Sequence, residues 1–256
     1  MHRLIHAVAM SRLPTLSPDR LKMLVPVFAL LALCGCATPP PDDAPSSPPF
    51  VLDAAQQEAG WEVLFDGNSL EAWRSFRGSD LPSGWHIVSG ALYFDGRIGP
   101  PDLITRERYA SFELVLEWRA EPSANSGILF RVSEARSQTW ETGPEFQILE
   151  AETNELLRTG TNYALHPAAP HPETDNADGW NEARILVRGT EVEHWRNGAR
   201  IVAYTLGSED WKQRVAASKF DSMPGYGLET EGHIALQAHG NPIWFRNIRI
   251  LRLESN

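Results

Sequence analysis

The chain has 256 residues, with 33 acidic and 23 basic side chains and a formal net charge of -10. Without clustered lysine and arginine, this acidic balance argues against a nucleic-acid partner. Both cysteines, Cys34 and Cys36, lie near the start, so the rest of the chain has neither a disulfide framework nor a cysteine-based zinc site. A hydrophobic content of 42% is ordinary for a globular domain.

The first residues are typical of an export signal. Three basic residues (Arg12, Arg20 and Lys22) precede an apolar run from Met23 to Leu33. A basic start followed by about a dozen apolar residues predicts a secretory signal peptide, here over residues 1–35. The run is too short for a membrane span, which needs about 20 residues.

The end of this run carries a second signal. Its sequence, LCGC at residues 33–36, resembles the lipobox of bacterial lipoproteins and predicts lipidation of Cys36. The alternative is a plain signal peptide with an incidental cysteine. With lipidation, we expect an exported protein whose lipid anchor holds it in a membrane, at the periplasmic or outer-membrane face.

A proline-rich segment at residues 36–49 follows the signal. Its composition predicts an extended tether, because it contains too few apolar residues to offset the entropy of ordering. No second linker and no repeat occurs afterwards, so residues 50–256 are expected to form a single domain.

Strand patterns dominate that domain. Apolar residues alternate with polar ones over residues 112–119, 128–132, 145–148 and 233–239. Asn197-Gly198 lies between two strand-like runs and predicts a tight hairpin. Many short antiparallel strands predict an all-β sandwich or jelly roll made of two antiparallel sheets.

The same alternation assigns a set of polar residues to the strand faces that do not point into the core. These residues are Glu117, Arg119, Arg131, Glu145, Gln147, Gln237 and His239. They form one groove only if their strands belong to one sheet, and periodicity does not decide that.

Several motifs occur in order between residues 59 and 254. They include LFDGNSL at 64–70, WHIVSGAL at 85–92, NSGI at 125–128, GPEFQIL at 143–149 and GHIALQAHG at 232–240. Together they resemble the 3-keto-disaccharide hydrolase family. The resemblance implies a concanavalin-like jelly roll and activity on 3-keto-glycosides. It also implies a sugar 3-oxidase acting upstream, because the ketone must be made first.

A ketone at sugar carbon 3 acidifies the proton on carbon 2. Removal of that proton gives an enolate, the substituent on carbon 1 leaves, and water adds to the unsaturated product. This route needs a base, a cation or donor facing the enolate oxygen, and an acid for the leaving group.

For the base, the candidates are His239 and Glu145. A histidine titrates near neutral pH, whereas the pKa of Glu145 would have to be raised by burial or by a like charge. For the enolate oxygen, the candidates are Arg131 and Lys219. The structural alternatives are a solvated His239, a Glu145 that only pairs with Arg131, and a Lys219 that only caps a loop.

Six further residues are candidates for substrate binding. Two glutamines could donate to sugar hydroxyls, a charged pair could orient them, Trp140 could stack on the sugar and His166 could line the rim. These residues are Gln147, Gln237, Arg119, Glu117, Trp140 and His166. His194, beside the hairpin, is expected to pack or to lie on the surface.

No metal-binding motif occurs, so we predict no cofactor, although Glu145, His239 and His166 could ligate a divalent ion. Three rival functions remain open: a carbohydrate-binding domain without catalysis, a laminarinase-type β-glucanase, and a scaffold. The β-glucanase needs E-x-D-x-E, and here Gln147 and Leu149 replace its later carboxylates.

Overall fold

The computed structural model describes residues 48–121, 124–149, 154–169 and 179–254. The predicted signal peptide at 1–35, the tether up to residue 47 and Cys36 lie outside the described residues, so export, tether and lipidation stay predictions. No helix within the described ranges is long and apolar enough to cross a membrane.

Short strands make up most of the described chain. In chain order they are β1 (Glu62–Phe65), β2 (Trp73–Ser75), β3 (Trp85–Val88), β4 (Ala91–Asp95), β5 (Leu103–Thr105), β6 (Phe112–Ala120), β7 (Asn125–Val132), β8 (Glu145–Leu149), β9 (Asn181–Arg188), β10 (Glu191–Arg196), β11 (Ala199–Thr205), β12 (His233–Leu236) and β13 (Pro242–Arg252). The helices are α1 (Ala54–Ala59) and α2 (Glu209–Ala216), and two 3-10 turns cover Thr139–Glu141 and Lys219–Ser222.

The strands form two sheets. One has eight strands in the order β11-β10-β9-β6-β13-β4-β3, with β1 also paired to β13. The other has five strands in the order β2-β5-β12-β7-β8. The strands of both sheets pair antiparallel. The predicted all-β fold with two antiparallel sheets is confirmed.

Alternate residues of the strands form the core between the sheets. On β6, Phe112, Leu114, Leu116 and Trp118 are each at most 1% exposed. Phe112 meets Phe130 of β7 edge to face, with ring centroids 6.1 Å apart. Because β6 and β7 belong to different sheets, this contact crosses the sandwich. The predicted alternation on β6 is confirmed.

Two tight turns connect neighbouring strands. Asn197 and Gly198 join β10 to β11 with φ values of 47° and 79°, and Ser89 and Gly90 join β3 to β4 with φ values of 51° and 77°. Positive φ at both central residues matches the right-handed twist of a hairpin. The hairpin predicted at Asn197-Gly198 is therefore confirmed.

The five-stranded sheet presents polar groups on its outer face. Phe146 and Ile148 of β8 are buried in the core, so the alternating Glu145 and Gln147 face outward. Gly127 on the neighbouring β7 makes room for the first of these, because a Cβ there would meet the Oε1 atom of Glu145 at 2.0 Å. A glycine is thus needed beneath the Glu145 carboxyl group.

Strand β7 is irregular near its end. Its register with β12 shifts between His233 and Ala235, and Arg131 has a φ of 52°. An extra residue of this kind reverses the alternation of faces. The Arg131 guanidinium consequently reaches the backbone carbonyls of Gly189 and Ala110 and does not lie on the outer face.

Candidate active site

A cleft of about 270 Å³ opens on the outer face of the five-stranded sheet. Strands β7 and β8, the segment after β12 and three connecting segments contribute its walls. The lining residues are Asn125, Trp140, Glu145, Gln147, Tyr163, Lys219, Gln237 and His239. All except Asn125 and Tyr163 are residues that the sequence predicts for the site. The structure therefore brings most of the predicted set together, while their roles stay predictions.

Glu145 is the acidic residue among the described residues that line the cleft. It is 5% exposed, and its Oε1 atom has no hydrogen-bond partner among the described residues. Burial raises the pKa of Glu145 to about 8, an effect that the charge of Lys219 opposes and that of Asp102 supports. At neutral pH the carboxyl group is therefore mostly protonated and can act as an acid.

Lys219 brings a positive charge to the same space. It begins the second 3-10 turn, whose N-cap Ser218 accepts a hydrogen bond from the N–H of Phe220. The Lys219 Nζ atom lies 4.3 Å from the ring centroid of Tyr163 and 5.3 Å from that of Trp140. Cation–π contacts of this kind hold the ammonium group over the cleft without neutralising it.

Asn125 links the two sides of the cleft. Its Oδ1 atom accepts a hydrogen bond from Nε2 of Gln147 at 2.9 Å, and its Nδ2 atom lies 3.5 Å from Nε2 of His239. The Nδ2 atom of Asn125 can only donate, so Nε2 of His239 is the acceptor in this contact. Asn125 thereby connects His239 to Gln147 across the cleft.

Asp102 supports this wall from behind. Its carboxylate accepts hydrogen bonds from the N–H of Ala238 at 2.8 Å and from the hydroxyl of Thr139. Burial raises the pKa of Asp102, and the hydrogen bonds from Thr139 and Ala238 oppose this rise. Asp102 thereby fixes the backbone next to His239, so we regard it as a positioning residue.

Arg131, predicted to face an enolate oxygen, does not line the cleft. The bulge in β7 turns its side chain toward Gly189 and Ala110. The same displacement overturns the alternative that Glu145 pairs with Arg131, because the Arg131 guanidinium bonds to these two carbonyls and the Oε1 atom of Glu145 has no partner among the described residues. Lys219 is therefore the cation among the described residues that line the cleft.

Glu117 and Arg119 also lie outside the cleft, because β6 belongs to the eight-stranded sheet. Glu117 accepts a hydrogen bond from Arg246 at 2.7 Å. The guanidinium of Arg119 lies over the rings of Trp180 and Trp244, 5.2 and 4.7 Å from their centroids. The predicted ion pair between Glu117 and Arg119 and their predicted place beside the other site residues are therefore wrong.

His166 belongs to a packed aromatic stack. Its ring centroid is 4.7 Å from that of Tyr204 and 6.0 Å from that of Trp211, and its Nε2 atom lies 3.0 Å from Oδ2 of Asp210. These contacts hold it away from the residues that line the cleft, contrary to the prediction. His194 is fully buried against Tyr204, which confirms the packing role expected of it.

The described residues contain no group of three or more histidine, cysteine or acidic side chains that could hold a metal ion. Of the three ligands considered from the sequence, Glu145 and His239 share the cleft, whereas His166 is not among its lining residues.

The raised pKa of Glu145 predicts a pH dependence of stability. In the unfolded chain this carboxyl group loses its proton near 4.5, and in the folded chain near 8. The contribution of Glu145 to the free energy of unfolding is therefore fully present below about pH 4.5 and is lost as the pH rises through 8. The free energy of unfolding of wild type should fall over this window by up to roughly 5 kcal/mol more than that of Glu145→Gln.

Urea unfolding of both proteins between pH 5 and 8.5 checks this prediction. Taking the difference between the two proteins cancels the titration of the buried histidines. A difference that does not change with pH would contradict a buried, protonated Glu145.

Taken together, the cleft holds a protonated carboxyl group, an imidazole and an ammonium group with amide donors around them. This combination can move protons and stabilise a developing negative charge within one small space. Two carboxylates facing each other, as ordinary glycoside hydrolysis requires, are not present among the described lining residues.

Comparison with known proteins identifies relatives along the same region. The profile of the 3-keto-alpha-glucoside-1,2-lyase-like domain matches residues 60–251. A 3-keto-disaccharide hydrolase of Bacteroides thetaiotaomicron is 30% identical over 230 residues, covering 76% of this chain and 79% of the relative.

Solved structures show the same fold. A candidate glycosyl hydrolase from Parabacteroides distasonis superposes with a TM-score of 0.72 at 29% identity, covering 80% of this chain and 99% of its own. A second candidate glycosyl hydrolase from the same organism has a TM-score of 0.59 at 22% identity, with 75% and 99% covered.

Proposed function

The chain belongs to the 3-keto-alpha-glucoside-1,2-lyase-like domain family, and on this premise we propose that its cleft cleaves the glycosidic bond of 3-keto-disaccharides and related 3-keto-glycosides. The protein is a glycoside-cleaving hydrolase, as its relationship to the 3-keto-disaccharide hydrolase of Bacteroides thetaiotaomicron indicates. The restriction to 3-keto substrates and the reaction route are the parts that we propose.

The proposed route begins with proton transfer from carbon 2. A base takes this proton, and the electron pair of the C2–H bond forms an enolate with the ketone at carbon 3. The enolate then expels the oxygen on carbon 1, which leaves as an alcohol once it is protonated. Water adds its hydroxyl to carbon 1 and a proton to carbon 2, so that the net reaction is hydrolysis.

The three ionisable groups of the cleft suit the three tasks of this route. His239 is the base, because its imidazole lines the cleft together with Glu145 and Lys219. Lys219 faces the enolate oxygen, since its ammonium group is held over the cleft by aromatic rings. Glu145 protonates the departing oxygen, because burial keeps its pKa at about 8.

The single observation that carries the proposal is the burial of the Glu145 carboxyl group, which is 5% exposed and has an Oε1 atom without a hydrogen-bond partner among the described residues. A buried acid with an unpartnered oxygen costs stability, and its presence beside a base and a cation is typical of catalytic sites. A lectin-like role gives no reason to bury an acid in this way. The non-catalytic alternative is therefore the weaker one, and it predicts that the sugar binds without turnover.

Gln147, Gln237 and Trp140 complete the proposed substrate site. The two glutamines line the cleft and carry amides that can bond to sugar hydroxyls. Trp140 is partly buried and lines the same space, so one face of its indole can stack on sugar C–H groups.

A kinetic isotope effect tests the route. With a 3-keto-disaccharide that carries deuterium on carbon 2 of the oxidised ring, we expect a normal primary isotope effect on kcat/KM, because the C–H bond breaks. The same disaccharide with deuterium on carbon 4 is the control and should react at the rate of the unlabelled substrate. Equal rates for the carbon 2 label and the unlabelled sugar would contradict rate-determining proton removal.

We also propose that the protein works outside the cytoplasm on a lipid anchor at Cys36, with a sugar 3-oxidase supplying its substrate. The support is the apolar run and the lipobox-like LCGC sequence. Membrane fractionation of the Cys36→Ser chain tests the anchor: the variant should leave the membrane fraction, and retention there would contradict lipidation.

A further inference from the structure

Arg131 is a buried cation without a counter-charge. The residue is 4% exposed, and no described carboxylate forms an ion pair with it. Its Nη2 atom donates to the carbonyls of Gly189 and Ala110, whereas its Nε atom has no partner among the described residues. Burial of a guanidinium normally requires a carboxylate or another anion beside it.

The backbone around Arg131 is shaped to place it there. Its φ of 52° is uncommon for a residue with a side chain. Gly232 lies so close that a Cβ on it would meet the Cα of Arg131 at 2.6 Å. Both features come from the bulge in β7, and strained conformations of this kind concentrate at functional sites.

The guanidinium lines a pocket of about 320 Å³ at the edge between the sheets. Hydroxyl groups of Ser111, Thr190 and Thr230 share its wall, and the Ser111 hydroxyl already accepts a hydrogen bond from the N–H of Gly189 at 3.0 Å. The Ser111 proton is thus free to donate. The pocket, at about 320 Å³, is larger than a bare ion needs, because a water molecule occupies roughly 30 Å³.

The rim of the pocket has no excess negative charge. Glu231 is its acidic residue, and it pairs with Arg108 at 3.0 Å. Burial lowers the pKa of Arg131, a cost that a bound anion would offset. None of the pocket's lining residues lines the cleft around Glu145.

We propose that this pocket is a second binding site, which takes an oxyanion carried on a small hydroxylated body, such as a sugar acid, with Arg131 as the group that binds its charge. The hydroxyl side chains of the wall serve the rest of the ligand. The site is independent of the reaction proposed for the cleft.

Thermal unfolding of the purified full-length chain in glucuronate, acetate and sulfate tests the site, with glucose and chloride as neutral-sugar and salt controls. Wild type should show a saturable rise in Tm with glucuronate. Arg131→Gln should weaken the apparent affinity at least about tenfold, because a charge-assisted hydrogen bond is lost. Arg249→Gln is the matched control and should respond as wild type does, because Arg249 is a partly buried arginine that does not line this pocket.

Thr230→Phe provides a second variant that fills the mouth of the pocket and leaves Arg131 in place. It should also lose the saturable response, and it decides the question if Arg131→Gln does not fold. A stronger response to glucuronate than to acetate or sulfate indicates a sugar acid, and equal responses indicate a free oxyanion. A rise without saturation, or one that both pocket variants retain, would mean an adventitious ion only and would overturn the proposal.

Discussion

Replacing Glu145 with glutamine should lower kcat on a 3-keto-disaccharide by about 10²–10⁴-fold, the usual contribution of a general acid. Glutamine keeps the size of the side chain but cannot give a proton to the departing oxygen. Because burial raises the pKa of Glu145 to about 8, the wild-type rate should also fall above that pH. The residual rate of the variant should lack this fall.

Glu117→Gln is the matched control for this experiment. It removes a carboxyl group from the opposite sheet, where Glu117 bonds to Arg246, and should leave kcat unchanged. Full turnover by a folded Glu145→Gln protein would contradict the acid role and would leave Glu145 a structural residue.

Replacing His239 with alanine should have an effect of similar size, about 10²–10⁴-fold on kcat/KM, because the base is removed. His239 is exposed at the mouth of the cleft, so added imidazole can enter the space of the lost ring. We expect imidazole to restore part of the rate, in proportion to its unprotonated fraction. A purely structural histidine would not respond in this way.

His86→Ala gives the comparison for that rescue. His86 is a half-exposed histidine on the eight-stranded sheet, and its loss should change neither the rate nor its response to imidazole. If His239→Ala turns over both the carbon 2 deuterated substrate and the unlabelled substrate at the wild-type rates, another residue removes the proton.

The alternation of the strands was sufficient to predict much of the cleft. Glu145 and Gln147 occupy alternate positions on β8, and Gln237 continues the outward positions of β12. Their orientation follows from the apolar residues between them, which the core requires. For these residues, the strand face that the alternation predicts is also the face of the sheet on which the side chain lies.

Membership of a sheet depends on pairing between distant segments, which a local pattern does not contain. Glu117 and Arg119 alternate as regularly as Glu145 does, yet β6 pairs with β13 and β9 in the other sheet. Arg131 departs from the predicted face for a different reason, because one extra residue in β7 reverses the alternation just before it. A bulge of this kind has no signal in the hydrophobic pattern.

Cleft residues outside the alternating strand runs are harder to predict from the sequence. Tyr163 and Asp102 received no role from the sequence, since neither lies in an alternating run, whereas the structure places one on the wall of the cleft and one behind it. Asn125 was within a recognised motif, but only its contacts with Gln147 and His239 indicate a task.

Turnover of oxidised and unoxidised disaccharides tests the central claim most directly. The purified chain is offered 3-keto-trehalose, 3-keto-lactose, trehalose and lactose, each with and without EDTA. We predict release of 3-keto-glucose from 3-keto-trehalose and of 3-keto-galactose from 3-keto-lactose, no cleavage of the unoxidised sugars, and rates that EDTA does not change. Cleavage of the unoxidised sugars, or binding of the oxidised sugars without any turnover, would contradict the account.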